Sequence, residues 1–196
     1  MIIEGQRVVL RDEPRETDAD DLFAWLQLEE WQYYDEPDVP FAPPNRAAFE
    51  ASRSAGQIPP DTRKRWEVDT VEGQHIGWVC WYNLNRDTGC TYVGVVLPDP
   101  QMWGQGYGPE ALHLLVRTLF REMGLNTVKA ATWSGNRRSV GCILKCGFRE
   151  TARLPHRAAR SVRGEPLERV EFTATRPKVK VQTQELPAVN GDAHDR

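Results

Sequence analysis

The feature that most constrains this chain is the segment "WGQGYGPEAL" at residues 103–112, where glycine stands at every second position before a helical pattern. Gly104, Gly106 and Gly108 let the backbone approach another group closely. Pro109 suits the first position of a helix, where an N–H would have no intrahelical partner. Because a helix N-terminus presents free N–H groups and a positive dipole end, the segment predicts a site for phosphate or pyrophosphate.

Two well-known phosphate loops do not fit this segment. A dinucleotide fingerprint would continue from Gly104 and Gly106 to a third glycine, but Pro109 stands there, and Lys129 stands about twenty residues on, where an acid is expected. A P-loop needs Gly-Lys followed by Ser or Thr, which this segment lacks. Two interpretations remain: a loop that holds the anion with backbone N–H groups alone, or an ordinary glycine-rich turn.

The flanking sequence predicts a sheet covered by helices on both faces, because the strand segments are apolar on both sides. One helix begins at Thr17 or Asp18, a proline-broken loop occupies 31–45, and a second helix ends near Gly56. The helix after the glycine loop ends near Gly124, and a short one covers 135–147. The predicted strands are 6–12, 64–71, 75–84, 90–97, 126–133, 148–154 and 169–176.

Charge is distributed unevenly along the chain. Residues 12–50 carry twelve acidic and two basic side chains, whereas residues 137–180 carry twelve basic and four acidic ones. These are either two solvated faces or a cation-attracting side and an anion-attracting side. The net charge of −3 argues against a general nucleic-acid binder, which would usually be basic overall.

Composition indicates one globular domain that needs no metal or membrane. The chain has 196 residues, and its four cysteines show no metal-ligand spacing, so reduced thiols are expected. No apolar run approaches the ~18 residues of a membrane span, and the N-terminal stretch does not read as a signal peptide. A cytoplasmic protein is predicted.

Two motifs together resemble a known family. "WGQGYGPEAL" follows "VGVVLPDP", and "GNRRSVGCILKCGF" comes some thirty residues later. This pattern is similar to the GCN5-related N-acetyltransferases (GNATs), especially the RimJ/RimL-type branch that acetylates ribosomal-protein N-termini. The resemblance covers about residues 6–176. It implies an α+β fold, layered α/β/α, with a mostly antiparallel central sheet of about six or seven strands, in a domain over 1–176 followed by a polar tail at 177–196.

The resemblance also implies acetyl-CoA as co-substrate, with no metal. The strand before the loop would pair with the pantetheine amides, and the loop would hold the pyrophosphate, although Trp103 departs from the family's usual Gln or Arg. The implied cofactor-binding residues are Val95, Val96, Leu97, Trp103, Gly104, Gln105, Gly106, Tyr107, Gly108, Asn136 and Arg138.

Catalytic roles are less defined. The resemblance implies that Ser139 protonates the leaving thiolate, although Ser139 could equally serve only to stabilise its helix. Tyr92 occupies the strand position where this branch often carries an acid. Deprotonation at pH 7 costs an α-amine about 1.4 kcal/mol and a lysine about 4.6, so a site without that acid suits an α-amine better. Glu67, Asp69 and His75 remain open as bases acting through water, although the place of His75 beside a turn favours an ordinary surface histidine.

Three functions remain open. The first is transfer of an acetyl group from acetyl-CoA to a primary amine, on a protein or peptide N-terminus or a small molecule, by direct attack in a ternary complex. The second is a catalytically silent acyl-CoA-binding regulatory module. The third is acetylation of aminoacyl-tRNA, favoured by the basic half and opposed by the acidic half. The expected partners are acetyl-CoA and the amine, without a membrane; a homodimer is left open.

Overall fold

A computed structural model describes residues 1–55, 63–161 and 163–177. Within these ranges the chain forms five α-helices and a short 3-10 helix at Pro100–Met102 that leads into the glycine loop. The helices are α1 (Asp18–Trp25), α2 (Glu29–Asp35), α3 (Arg46–Ala55), α4 (Tyr107–Arg121) and α5 (Arg137–Lys145).

The described strands form one sheet in the order β1-β2-β3-β4-β5-β6-β8-β7. All neighbours are antiparallel except β5 and β6, which run parallel. The strands are β1 (Ile2–Glu4), β2 (Val8–Arg11), β3 (Arg63–Thr70), β4 (His75–Asn85), β5 (Cys90–Val96), β6 (Thr127–Trp133), β7 (Arg149–Arg160) and β8 (Pro166–Thr175).

The α+β fold with a mostly antiparallel sheet agrees with the sequence prediction, apart from the number of strands. The sheet has eight strands because the chain start adds β1, whose Ile2 pairs with Arg11 of β2. Three residues are too few for a recognisable alternation of apolar and polar side chains, so the sequence pattern did not reveal this strand.

Helix α4 covers one face of the sheet and forms the main core. Its apolar stripe includes Leu112, Leu115 and Leu119, all buried against strand residues such as Val68 and Val79. Burying a leucine side chain of this kind contributes roughly 1.5–3 kcal/mol. The opposite face carries α1 and α2, whose Trp25 and Trp31 contact Trp78 of β4. Helices therefore lie on both faces, as predicted.

Two local predictions were wrong. Helix α2 lies partly inside the segment 31–45, which was predicted to be a loop. The prolines of that segment do not prevent this helix, because it ends at Asp35, before the first of them. Pro109 is the third residue of α4, since the helix begins at Tyr107. Nearly all of the predicted tail, from residue 178 onward, lies outside the described residues, so the domain boundary at 176 stays a prediction.

Among the described residues, no helix combines the length and the apolar character that crossing a membrane requires.

Candidate active site

The sheet opens into a fork between its two parallel strands. Strands β5 and β6 pair at only three positions, the last of which joins Tyr92 to Lys129. Beyond that point the residues of β5 pair only with β4, and those of β6 pair only with β8. Alternate backbone N–H and C=O groups of β5 therefore face the gap without a strand partner. An extended ligand that carries amides can pair with such an edge.

The glycine loop lies where β5 leaves the sheet. Gly104 and Gly106 adopt positive φ values of 77° and 92°, a region that favours glycine, and Gly106 is the residue that caps α4. Gly108 has negative φ, and a methyl group added there would meet Leu97 at an ordinary 3.7 Å. Two of the three glycines are thus needed for the turn, whereas Gly108 is not needed for space.

The one acidic side chain in the first turn of α4, Glu110, is held away from the glycine loop. The Glu110 carboxylate accepts hydrogen bonds from the backbone N–H groups of Gln6 and Arg7, the latter at 2.9 Å. This places Glu110 against the β1–β2 turn and away from an anion at the loop. The Arg7 guanidinium donates to the Gln105 carbonyl at 2.7 Å. A side chain at Gly106 would point at this guanidinium, 3.2 Å from its Nη1.

Trp103 supports the loop from within. Its indole N–H donates to the carbonyl of Leu97 at 2.6 Å, and the side-chain amide of Gln105 donates to the Gln101 carbonyl at 2.6 Å. The Asp99 carboxylate accepts from the Gln101 N–H at 2.8 Å. These contacts hold the loop in one shape before any ligand binds, which lowers the entropy cost of binding.

Helix α5 begins on the other side of the fork, after β6. Asn136 caps it by accepting the Ser139 N–H at 3.0 Å, and its side-chain amide donates to the Tyr34 carbonyl at 3.4 Å. The side chain of Asn136 thus has a structural role. Ser139 is half-buried, and its hydroxyl makes no hydrogen bond within the described part of the chain. That hydroxyl is available to a ligand.

Arg138 links the two sides of the site. Its guanidinium carbon lies 3.6 Å from the centroid of the Trp103 ring and 4.5 Å from that of Tyr34. Glu30 lies at 4.0 Å, the limit of an ion pair. A guanidinium stacked by its face keeps its N–H edge for other partners, and this edge can meet a phosphate. The sequence placed Arg138 near the loop but did not reveal the contact with α2.

Tyr92 lies at the base of the fork. Its ring stacks on Tyr82 with centroids 5.7 Å apart, and the Lys129 ammonium lies 5.8 Å from its centroid. Two residues further along β5, Gly94 bears no side chain, and a methyl group added there would meet only the Cys80 thiol, at 3.5 Å. The sheet surface just beyond the last β5–β6 pair is therefore open.

A buried ionic network fastens α1 to the sheet, and the sequence pattern did not reveal it. Arg11 binds Asp69 with its Nε at 2.6 Å and Asp18 with its Nη2 at 3.1 Å. His75 contacts Glu67 through Nε2 at 3.1 Å and Asp21 through Nδ1 at 2.9 Å. All of these residues except Asp21 are largely buried.

The network changes the interpretation of His75, whose side chain is only 4% exposed and so is not that of a surface histidine. Burial, the largest single influence, lowers its pKa, but the carboxylates of Glu67, Asp21 and Asp18 outweigh burial and raise that pKa above its ordinary value. Asp18, Asp21 and His75 bring ligand atoms within 4.8 Å of one another. However, both nitrogens of His75 already contact carboxylates, and Arg11 binds Asp18, so the arrangement reads as a structural ion cluster.

The acetyltransferase (GNAT) domain family matches residues 7–149, well over half of the chain. The chain belongs to the GNAT family. GNAT enzymes transfer acetyl groups from acetyl-CoA, so the protein is an acetyl-CoA-dependent N-acetyltransferase with acetyl-CoA as co-substrate. A comparison with curated proteins found no match.

Solved structures share this GNAT fold at low sequence identity. The spermidine N-acetyltransferase of Vibrio cholerae, solved with CoA and spermine, is 14% identical with a TM-score of 0.72, covering 88% of this chain and 97% of that one. RimL, a ribosomal L7/L12 α-N-protein acetyltransferase solved with CoA, is 15% identical with a TM-score of 0.70 and coverages of 89% and 98%. The microcin C7 self-immunity acetyltransferase MccE, solved with acetyl-CoA and AMP, is 16% identical with a TM-score of 0.63 and coverages of 87% and 93%.

Proposed function

We propose that this GNAT enzyme acetylates a primary amine, on a protein or peptide N-terminus or a small molecule, by direct attack in a ternary complex. The observation that carries the proposal is the fork between β5 and β6, with an unpaired backbone edge that leads directly to the glycine loop. The edge suits an extended amide-bearing chain, and the loop suits a pyrophosphate. Together they fit the pantetheine and pyrophosphate of one donor molecule.

Acetyl-CoA would be held by the glycine loop and by the unpaired edge of β5. Backbone N–H groups of residues 104–108 would hold the pyrophosphate at the N-terminus of α4. Pro109, as the third helical residue, offers no N–H, but Arg138 adds a charged donor beside the loop. The edge of Val95, Val96 and Leu97 would pair with the pantetheine, with the Leu97 carbonyl already engaged by Trp103.

Besides the donor, the chemistry requires two contributions from the protein. Acetyl-CoA supplies an activated acetyl group. A backbone N–H of the unpaired β5 edge would stabilise the negative charge that develops on the carbonyl oxygen, usually the largest contribution to such catalysis. Ser139 would donate a proton to the departing sulfur, because its hydroxyl has no partner in the described residues and lies in the first turn of α5, beside the fork.

The acidic segment 12–50 gives less support to a strongly cationic acceptor than its charge suggests. Much of its negative charge is balanced by cations from elsewhere in the fold. Asp12 contacts Lys64, Asp18 contacts Arg11, and His75 contacts Asp21. A weakly basic amine such as an α-amino group therefore remains the better match, since it is cheapest to deprotonate at neutral pH.

An acceptor screen tests the proposal. Wild-type enzyme and acetyl-CoA are incubated with three amines: a heptapeptide with a free α-amine and no lysine, spermidine, and lysine amide. Free thiol and product mass are measured. We expect thiol release to match the mass of a monoacetylated amine, with the peptide reacting fastest at pH 7. Tight acetyl-CoA binding without transfer to any amine would contradict the proposal and favour a silent binding module.

A further inference from the structure

The end of helix α2 lies across the mouth of the fork. Tyr34 packs edge-on against Trp103 of the glycine loop, and its carbonyl accepts a hydrogen bond from Asn136 at the start of α5. The next residue, Asp35, accepts the indole N–H of Trp133 on its backbone carbonyl at 2.9 Å. Because Trp133 ends β6, two consecutive residues of α2 are anchored to both sides of the cleft.

The negative charge of Asp35 influences two side chains on the sheet surface beside the open end of the fork. Burial is the main cause of the raised pKa values of Cys80 and Tyr82; nearby arginines lower both values, and the negative charge of Asp35 raises both. In the sheet register, Cys80 pairs with Gly94 and Tyr82 with Tyr92. Because the Asp35 carbonyl is held by Trp133 at the end of β6, Asp35 lies beside the part of β5 where its pairing with β6 has just ended.

This carboxylate is free and accessible. Asp35 is exposed, and it makes no hydrogen bond or ion pair through its side chain within the described part of the chain. The other acids near α1 differ in this respect: Glu67 contacts Arg65 and His75, and Asp69 contacts Arg11. A group that must take a proton from an incoming substrate needs an open, unpaired position.

We propose that Asp35 is the catalytic base that takes the proton from the acceptor's ammonium group at the open surface over Gly94. The inference rests on the proposed function, since it requires an amine acceptor. It gives to Asp35 the role of base that this branch often gives to an acid at the position of Tyr92, and it places that base on the helix that lies across the mouth of the fork.

The proton balance is complete with this residue. The acceptor enters as R–NH₃⁺, and the Asp35 carboxylate takes one proton to leave R–NH₂. The amine nitrogen forms a bond to the acetyl carbon and the carbon–sulfur bond breaks. The thiolate receives a proton from Ser139, and the second proton lost by the amine nitrogen replaces it on the Ser139 hydroxyl. The products are the N-acetyl amine and CoA thiol, with one net proton released to solvent from Asp35.

The surroundings of Asp35 suit this role. Although the residue as a whole is exposed, protein atoms around its carboxylate desolvate it and raise its pKa; the adjacent Glu36 raises that pKa further, and Arg63 on β3 lowers it. The groups facing it from β4 are the Cys80 thiol and the Tyr82 hydroxyl; their ordinary pKa values already lie above 7 and burial raises them further, so both groups are neutral at pH 7. A higher pKa narrows the gap to the amine and makes the carboxylate a stronger base.

The test compares Asp35→Asn with Glu36→Gln, using whichever of the three screened amines the wild type acetylates fastest. Glu36 is adjacent, exposed and of the same charge. Asp35→Asn should lower kcat/KM for the amine at pH 7 by about 10²–10⁴-fold, the range for lost proton transfer, with the KM for acetyl-CoA unchanged. Glu36→Gln should change it by less than about threefold, as for an exposed charge. Asp35→Glu should restore part of the activity.

The pH profile separates a base from a structural residue. The loss of kcat/KM caused by Asp35→Asn should become smaller as pH rises toward the pKa of the amine, because the acceptor is then deprotonated in solution. A variant with near wild-type kcat/KM, or with an equal deficit at every pH, would overturn the assignment of Asp35 while transfer by the wild type still supports the proposed function. If the wild type acetylates none of the amines, both proposals fall.

Discussion

Replacement of Arg11 by methionine should destabilise the protein strongly, because Arg11 is the central cation of the buried network. Arg11 is only 8% exposed, yet it binds Asp69 at 2.6 and 2.9 Å and Asp18 at 3.1 Å. Methionine fills a similar volume but leaves both carboxylates buried without their main partner. A buried carboxylate without a partner must either take up a proton or draw in water, and each costs free energy of folding.

The size of the expected loss in folding free energy depends on the contacts that Asp69 and Asp18 retain without Arg11. Breaking a buried pair by removing one partner typically costs about 3–5 kcal/mol. Here Asp69 keeps Arg15 at 2.7 Å, and Asp18 keeps the backbone N–H of Arg15 at 2.7 Å, which holds the loss near the lower limit. A loss of about 3 kcal/mol in a chain of this size corresponds to a fall in Tm of roughly 6–12 °C.

Thermal unfolding followed by circular dichroism measures this change, with Arg153→Met as the matched control. Arg153 also contacts two carboxylates, Glu150 at 2.7 Å and Glu168 at 3.4 Å, but its side chain is 47% exposed. Exposed ion pairs contribute little, so the control should keep its Tm within about 2 °C. An Arg11→Met protein that melts together with the control would refute the view that burial gives this network its strength.

Three further outcomes are expected. Gly106→Val should weaken acetyl-CoA binding in calorimetry more than Gly104→Ala does: each forces a side chain to positive φ, at about 1–2 kcal/mol, but only at Gly106 does the new atom also press on Arg7. Ser139→Ala should lower kcat about 10²–10⁴-fold with little change in the Kd for CoA, measured where chemistry limits the rate; near-normal turnover would make Ser139 structural. The raised pKa of His75 means that its charged form stabilises the fold fully below about pH 6.5, and that this contribution is lost as pH rises through the folded-state pKa. The stability advantage of wild type over His75→Gln in urea unfolding should therefore shrink between pH 6 and pH 9, whereas a constant difference would point to packing alone.

Features determined by local sequence were predictable. The glycine loop, the helix that follows it and the short helix after β6 all depend on residues within a few positions of one another. The α+β fold with a mostly antiparallel sheet followed from the family resemblance. Helix α2 was missed because its segment "EEWQYYD" carries no apolar stripe at helical spacing, and none of its residues is fully buried.

Features determined by distant residues were not predictable. Asp69 meets Arg11 across 58 positions, and the carbonyl of Asp35 meets Trp133 across 98 positions. Nothing in the local pattern distinguishes Asp35 from its neighbour Glu36, because only the fold turns one of them toward the fork. The acidic segment illustrates the same limit, since its net charge was visible but the cations that balance it come from other elements.

The three-pair junction between β5 and β6 has a consequence for the lifetime of the protein. It joins two half-sheets, β1–β5 and β6–β8, by fewer backbone pairs than most of the other junctions. Acetyl-CoA that pairs along the open edge and reaches across the gap would bind only the folded chain and not the unfolded one. At a hundredfold excess over its Kd, such a ligand adds about 2.7 kcal/mol of resistance to unfolding. Degradation that proceeds through opened molecules would then slow when acetyl-CoA is abundant and quicken when it is scarce, so the supply of the donor would govern how long the enzyme persists.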